Sequence, residues 1–357
     1  MGHPWGVPAA FSFIHDNFPT ESFGPGVTTV EVTLSGTKAY IYKPPFISEQ
    51  LLPAFIYFHG GGLGLASAKS YEGLAKKISS HLNAVVLNID YDYMVSNFKF
   101  PGPVMRCFDA VKEFILHARE FGVDQSRIAI GGDSAGGYLT AVISHLVFED
   151  KSLPDLKLQV LIYPWIHCLD FKFPSHQKYE QEFGRNGGLV PLPILAKVCA
   201  MLALGNVKPD VVRAMIENRH VSKTFKESAL YQKCCGHDLL PAAFRDSSYC
   251  KDTSQPEEAY EDVWNKVKEI FLDARFTPLL RKNMTGLSPA YVMTAGFDTH
   301  RDEGYLYAQK LKKAGVDVTW VHVEKAWHGI VWMTPIISFR LGEKIQEDFL
   351  LFTKDHL

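Results

Sequence analysis

The sequence lacks the features that would place it outside ordinary soluble globular proteins. Its longest apolar run, residues 189–205, is broken by Pro191, Pro193 and Lys197, so it is a poor membrane span. The N-terminus has no basic region followed by an apolar stretch, as a secretory signal would. The formal net charge is −2, without a basic arm, which argues against a nucleic-acid-binding protein. We therefore expect the chain as it stands to be soluble.

Cysteine is also scarce, with six residues in 357. No Cys-x-x-Cys pair indicates a zinc site, and the spacing is too irregular for a disulfide framework. Cys234 and Cys235 either form one bridge with Cys250 or remain free thiols. Asn283 begins a glycosylation sequon, which has meaning only in a translocated chain. We predict no cofactor and no metal, and nothing in the sequence indicates an oligomeric state.

What the chain does contain is a regular alternation of apolar strands and amphipathic helices. A β-hairpin, residues 27–43, comes first, and buried strands then alternate with helices. This order predicts an α/β fold with a mostly parallel central sheet flanked by helices. Strands are expected at 54–58, 84–89, 127–130, 158–163, 290–295 and 316–323, and helices at 70–82, 104–121, 135–148, 303–314 and 340–354.

Residues 166–276 interrupt the alternation, because they are rich in helix formers and show no strand pattern. They predict a helical cap inserted into a core of residues 51–165 and 277–357, at the sheet edge where such folds bind ligands. The apolar helix 193–204 either packs inside the cap or touches a membrane surface or a lipid substrate, and we favour packing. Five nearby aromatic residues either line a pocket or pack in the core: Phe98, Phe100, Trp165, Phe171 and Phe173.

The most informative motif is the G-x-S-x-G sequence at residues 132–136, which is Gly132, Asp133, Ser134, Ala135 and Gly136. It follows a predicted strand and precedes a predicted helix, as in the turn that presents a serine nucleophile. Glycines two positions either side allow the sharp turn, and the helix N-terminus then points its N–H groups at a developing oxyanion. The alternative, an ordinary glycine turn, does not require this context.

A second motif, His59-Gly60-Gly61-Gly62, follows the predicted strand 54–58. Consecutive glycines let a backbone approach a substrate, and such loops supply oxyanion-binding N–H groups in lipases and esterases. We expect the N–H groups of Gly61 and Gly62 to act with that of Ala135. We interpret His59 as an anchor of the loop rather than as a base.

A serine nucleophile needs a base and an acid, which follow it in this fold in the order Ser, Asp or Glu, His. Asp298 and His328 each follow a predicted strand, so we expect both at the same sheet edge as Ser134. Asp302 is the competing acid, although its place at a helix start favours a capping role. The competing bases are His300, which follows the acid too closely, and His322, which lies within a strand.

These motifs together resemble the hormone-sensitive-lipase family of α/β-hydrolases, and its arylacetamide deacetylase-like branch most. The residues that carry the resemblance are 59–62, 132–137, 163–164, 296–304 and 328–329. It implies a carboxylesterase or deacetylase that acts on small-molecule or lipid esters, and on aryl amides as a further class. It also implies that the N-terminal segment, residues 1–50, contributes to the cap and supplies the first strands.

Two alternatives stay open at this point. Relatives in that branch tend to carry an N-terminal anchor facing the endoplasmic reticulum lumen, so that membrane or lumen is the alternative location if an anchor lies outside this sequence. The alternative function is a non-catalytic ligand-binding or receptor protein on the same fold, because fold alone does not fix function. Proteins of that kind usually lose the serine or the histidine, and this chain keeps both.

Overall fold

The computed structural model of the chain describes residues 21–45, 50–64, 66–91, 99–184, 188–245, 248, 258–334 and 339–357. Within these residues, no helix combines the length and the apolar character needed to cross a membrane. Residues 1–20 and 46–49 of the N-terminal segment 1–50, which was expected to add to the cap, lie outside the described residues, as do Cys250 and Phe98.

The described strands form one eight-stranded sheet in the order β1-β2-β4-β3-β5-β6-β7-β8. The hairpin β1–β2 and the β2–β4 pair are antiparallel, and every later pair is parallel. This is the predicted α/β-hydrolase architecture. The strands are β1 Thr28–Leu34, β2 Thr37–Lys43, β3 Leu52–Phe58, β4 Val85–Ile89, β5 Val123–Asp133, β6 Leu158–Ile162, β7 Ala290–Phe297 and β8 Val318–Trp327.

Helices cover both faces of the sheet, and the central strands β4 and β6 are buried along their whole length. That burial explains why their sequences are continuous apolar runs rather than alternating ones. The helices of the core are α1 Glu72–Leu82, α2 Gly102–Leu116, α3 Ala135–Glu149, α10 Arg301–Lys313, α11 Ile330–Met333 and α12 Arg340–His356. Those of the intervening segment are α4 Pro174–Phe183, α5 Leu192–Leu204, α6 Pro209–Ile216, α7 Lys223–Lys226, α8 Ala229–Cys235 and α9 Glu261–Phe271.

Three predicted elements have wrong boundaries, one of them the strand expected over 316–323, which spans Val318–Trp327. The helix expected over 104–121 ends at Leu116, and a separate 3-10 turn, Ala118–Phe121, follows it and is closed by Gly122 at φ 80°. The strand expected over 127–130 begins earlier, at Val123, because Val123 pairs with Leu52 at the start of β3. The longer β5 carries the chain straight to Asp133, one residue before Ser134.

The segment 166–276 is helical and, in its described residues, contains no strand. Its apolar helix α5 packs in the core, with Leu195, Val198, Cys199 and Leu202 buried. Cys234 and Cys235 are free, buried thiols. Four of the aromatic residues, Phe100, Trp165, Phe171 and Phe173, are buried in the main apolar cluster.

Candidate active site

The turn between β5 and α3 holds Ser134 in a strained backbone conformation, with φ 57° and ψ −120°. A Cβ atom on Gly136 would lie 1.9 Å from the carbonyl oxygen of Phe58, and one on Gly132 would lie 2.4 Å from the same oxygen. Only glycine fits at either position, because β3 passes directly against the turn. The spacing in the sequence motif therefore reflects a close packing of two backbones around the serine.

We expect Gly136→Ala to lower the free energy of unfolding by about 3 kcal/mol or more, since the added methyl group must displace backbone of β3. Gly102→Ala is the matched control, because a Cβ at Gly102 meets nothing within 4 Å. The control should keep or slightly raise stability, by up to about 1 kcal/mol. Urea unfolding of both variants measures the difference. Equal stability of the two would contradict the packing described here.

The three residues expected to carry the chemistry lie in one hydrogen-bonded chain. Oγ of Ser134 is 2.8 Å from Nε2 of His328, and Nδ1 of His328 is 2.8 Å from Oδ2 of Asp298. All three side chains are buried. Ser134 follows β5, Asp298 follows β7 and His328 follows β8, so the parallel sheet brings three strand ends to one edge.

The acid of this chain remains ionised despite its burial. Burial alone would raise the pKa of Asp298, but the facing His328 imidazole and the N–H of His300, 2.9 Å from Oδ1, outweigh it. The pKa therefore lies below its ordinary value. A charged carboxylate beside Nδ1 fixes the tautomer of His328 that leaves Nε2 free to accept a proton from the serine.

The structure places two of the three competing candidates, Asp302 and His322, outside the pocket that Ser134 lines. Asp302 accepts hydrogen bonds from Nε of Arg301 and the N–H of Ser175, both at 2.7 Å, so it connects α10 to α4. His322 contacts Thr294 and Glu324 on the sheet. His300, by contrast, lies at the site, with its ring edge toward that of His328 at a centroid distance of 5.1 Å.

The glycine loop lies beside the serine. Gly61, Gly62 and Ala135 all line the same pocket as Ser134. Within the described part of the chain, the N–H groups of Gly61 and Gly62 have no hydrogen-bond acceptor, and that of Ala135 begins α3 without one. The His59 ring is fully buried, stacks on Tyr91 at 4.1 Å and bonds through Nδ1 to the carbonyl of Gly60. It does not line the pocket, which agrees with an anchoring role.

Asp133 joins the two motifs in a way the sequence did not reveal. Its carboxylate accepts hydrogen bonds from the N–H of Gly60 at 2.9 Å, from Tyr57 at 2.8 Å and from Tyr71 at 2.9 Å. Burial raises the pKa of Asp133 to about 6, against the opposing effect of the two tyrosine hydroxyls. One buried carboxylate thus fixes the position of the glycine loop relative to the serine turn. Tyr57 stands in an apolar strand and Tyr71 among polar residues, and neither stretch carries a signal of this role.

A pocket of about 100 Å³ opens above Ser134. One side is formed by the catalytic-motif residues and the other by apolar side chains of the helical segment 166–276. Of the four described aromatic residues that the sequence singled out, Trp165 alone lines the pocket. The residues of the helical segment that line it are Leu189, Val190, Ile194, Leu195 and Val198. The structure therefore offers an apolar space directly beside the serine.

Asp298, His300 and His328 also offer ligand atoms within 4.8 Å of one another. Both ring nitrogens of His328 are already hydrogen-bonded, to Asp298 and to Ser134. Metal binding through either ring nitrogen would break one of these bonds. The arrangement fits a proton-transfer chain better than a metal centre, and the prediction of no metal and no cofactor stands as a prediction.

Glu303 is a further buried acid beside the site. Its Oε2 accepts the N–H groups of Ile166 and His167, both at 2.8 Å, and its Oε1 meets Nδ1 of His300. Burial raises the pKa of Glu303 to about 8, from an ordinary value of 4.5. Glu303 is therefore protonated in the folded protein at neutral pH.

That shift predicts a pH-dependent stability. Between pH 4.5 and about 8, folded Glu303 keeps a proton that the unfolded chain releases, so stability falls as the pH rises. At about 1.4 kcal/mol per pH unit, wild type should lose about 3 kcal/mol more than Glu303→Gln between roughly pH 5 and 7. Urea unfolding at the two pH values measures this. Parallel losses in both proteins would show that Glu303 ionises normally.

The chain is similar to known proteins in sequence and in fold. The family model described as "alpha/beta hydrolase fold" matches residues 55–225 and 237–332. Neutral cholesterol ester hydrolase 1 of Pongo abelii is 33% identical over 345 residues, covering 93% of this chain and 81% of that protein. Arylacetamide deacetylase of Oryctolagus cuniculus is 28% identical, with the same shares of 93% and 81%. Among solved structures, the carboxylesterase EstE1 from a metagenomic library has a TM-score of 0.67 and 25% identity, covering 98% of this chain and 96% of its own.

The matched regions include both glycine motifs and the loops that carry Asp298 and His328. The hormone-sensitive-lipase resemblance drawn from the sequence is thereby confirmed. The chain belongs to the α/β-hydrolase family, in the branch of the neutral cholesterol ester hydrolases and arylacetamide deacetylases, and is an ester hydrolase of that type.

Proposed function

We propose that the chain hydrolyses carboxylic esters through an acyl-enzyme on Ser134, with His328 as base and Asp298 as the orienting acid. The observation that carries this proposal is the chain of two 2.8 Å hydrogen bonds from Ser134 to His328 and from His328 to Asp298. A nucleophile whose base is itself held by a buried carboxylate is the arrangement that acyl transfer needs.

In the first half-reaction, Oγ of Ser134 attacks the ester carbonyl while Nε2 of His328 takes the hydroxyl proton. The carbonyl oxygen becomes an oxyanion, which we assign to the N–H groups of Gly61, Gly62 and Ala135. The tetrahedral intermediate collapses, the C–O bond to the alcohol breaks, and His328 returns its proton to the departing alkoxide. Water then repeats the sequence on the acyl-enzyme, releasing the carboxylic acid and restoring Ser134.

The substrate class follows from the pocket wall. The side chains contributed by the cap are apolar, so the group that they contact should be a hydrocarbon or an aryl group rather than a charged one. Relatives in this branch are named for cholesterol esters and for arylacetamides. We propose an uncharged small-molecule or lipid ester as the substrate, with aryl amides as a slower class.

A series of 4-nitrophenyl esters of increasing acyl length tests this assignment. Each methylene that the pocket buries should raise kcat/KM roughly three- to fourfold, from about 0.8 kcal/mol per CH₂, until the cavity is full. A 4-nitroanilide with the best acyl group, measured alongside, gives the ester-to-amide preference. A flat chain-length profile, or equal turnover of an ester with a charged acyl group, would contradict the apolar substrate class.

The alternative, a non-catalytic ligand receptor on the same fold, predicts binding of such esters without turnover. No observation on the described residues favours it, because serine, base, acid and glycine loop are together in one site. Release of 4-nitrophenol in repeated turnovers distinguishes the two.

A further inference from the structure

His300 contributes a second imidazole to the pocket that the proposed chemistry does not use. It is 2% exposed and lines the pocket beside Ser134 and His328. Among the other polar side chains there, Ser134 and His328 are bonded to each other, Tyr71 donates to Asp133, and Nε1 of Trp165 donates to the carbonyl oxygen of His167. Within the described residues, Nε2 of His300 has no hydrogen-bond partner, although Nδ1 is held by Glu303. A buried imidazole with one nitrogen fixed and one open to a pocket is placed to contact a ligand.

We propose that His300 recognises the substrate: its Nε2–H donates a hydrogen bond to a second oxygen that the ester carries near its scissile carbonyl. The substrates selected in this way are carboxylic esters with an ether, hydroxyl or further carbonyl oxygen on the acyl or alcohol side. This inference rests on the proposed function and adds one polar contact to an otherwise apolar substrate site. The pocket wall opposite gives no competing polar contact, because it is formed by cap residues such as Leu189 and Val198.

The position of His300 is fixed on three sides. Its backbone N–H donates to Oδ1 of Asp298 at 2.9 Å, and its ring lies edge-on to that of His328. Its Nδ1 meets Oε1 of Glu303. Asp298, the acid that orients His328, thus holds the backbone of His300, while Glu303 holds its ring. A substrate oxygen bound to that ring lies close to the reacting carbonyl.

Glu303 determines which ring nitrogen of His300 carries the proton. Because Oε2 of Glu303 already accepts two backbone N–H groups, its acid proton belongs on Oε1, where it is donated to Nδ1 of His300. Burial lowers the pKa of His300 to about 3, so the ring is neutral and carries its own proton on Nε2. Above about pH 8 Glu303 loses its proton, Nδ1 becomes the donor, and Nε2 can then only accept.

Other titratable groups also act on this pair. Asp298 and His328 adjoin His300 directly, and His167 lies with Nε2 4.0 Å from Oε2 of Glu303. His176 is buried nearby and interacts electrostatically with His300. Any test by pH must therefore cancel the titration of the catalytic groups, which a ratio between two substrates of one enzyme does.

The test compares isosteric ester pairs in which an ether oxygen replaces a methylene. 4-Nitrophenyl methoxyacetate against 4-nitrophenyl butanoate probes the acyl side, and 2-methoxyethyl acetate against butyl acetate probes the alcohol side. The kcat/KM ratio of each pair is measured in wild type and in His300→Leu, so intrinsic reactivity cancels. We expect His300→Leu to lower the preference for the ether substrate about tenfold in one of the pairs, the effect of one lost hydrogen bond.

His300→Asn serves as a second variant if the leucine variant fails to fold, and His176→Leu is the matched control at a buried histidine outside the pocket lining. An unchanged ratio in both pairs would overturn the proposal. If the butanoate is still hydrolysed, such a result contradicts the role of His300 but not the serine mechanism. Failure of this inference can therefore be distinguished from failure of the proposed function.

Glu303→Gln gives an independent readout. A glutamine can accept the two backbone N–H groups with its oxygen and donate its amide N–H to Nδ1 of His300 at every pH. Wild type should lose its ether preference above about pH 8, whereas Glu303→Gln should keep it between about pH 6 and 9. A variant that lost the preference in step with wild type would refute the role given to Glu303 and, with it, the donor on His300.

Discussion

Replacing Ser134 by alanine should lower kcat for 4-nitrophenyl butanoate by about three to six orders of magnitude while the fold survives. The substitution removes only Oγ, which contacts Nε2 of His328. The backbone N–H of Ser134 still donates to the carbonyl of Ile162 at 2.9 Å, so the turn keeps its support. Steady-state kinetics together with a thermal melt measure both parts of the expectation.

Ser144→Ala is the matched control for this substitution. Ser144 is also buried in the region of α3, but its Oγ donates to the carbonyl of Thr140 at 2.7 Å, inside the helix and away from the pocket. Its loss should leave kcat near that of wild type. Near-normal turnover by Ser134→Ala, or equal losses in the two variants, would remove Ser134 from the role of nucleophile.

The second large effect is expected from Asp298→Asn. An amide can donate to Nδ1 of His328, which favours the tautomer whose Nε2 carries the proton and cannot accept one from Ser134. We expect kcat to fall by about 10³–10⁴ with little change in structure, as known for this tautomer effect in serine enzymes. The neighbouring acid provides the comparison, because Asp302 is as deeply buried and only four positions along the chain.

Asp302→Asn should behave in the opposite way. Its carboxylate contacts Arg301 and the N–H of Ser175, so the variant should lose about 1–3 kcal/mol of stability and keep kcat within about tenfold. Steady-state kinetics and urea unfolding give kcat and the free energy of unfolding for both variants. A larger loss of kcat in Asp302→Asn than in Asp298→Asn would reverse the assignment of the acid.

Much of the site was predictable because its residues stand at strand ends. Parallel strands place their carboxyl ends at one edge, so Ser134, Asp298 and His328 could be brought together from element order alone. The glycine spacing was equally informative, since the close approach of Gly136 to Phe58 leaves no room for a side chain. The strand-end inference depends on topology, which the pattern of apolar residues indicates. The glycine inference depends on local sequence alone.

The supporting contacts could not be read from the sequence because they join distant residues. Asp133 meets Tyr71 across 62 positions and Tyr57 across 76, and nothing in either stretch marks the tyrosines as its partners. The nearness of His300 to Asp298 in the sequence argues against a base, yet its ring lines the pocket, because Glu303, one helical turn later, holds it beside His328. The break at His117 likewise depends on the closing turn at Gly122.

The most direct test of the account is covalent labelling of Ser134. A fluorophosphonate is attacked by an activated serine and leaves an adduct of defined mass, which peptide mass spectrometry assigns to one residue. We predict a single adduct on Ser134. It should be absent when His328 is replaced by alanine, and an excess of ester substrate should lower the rate at which it forms. No adduct, or an adduct on another serine, would contradict a hydrolase that works through Ser134.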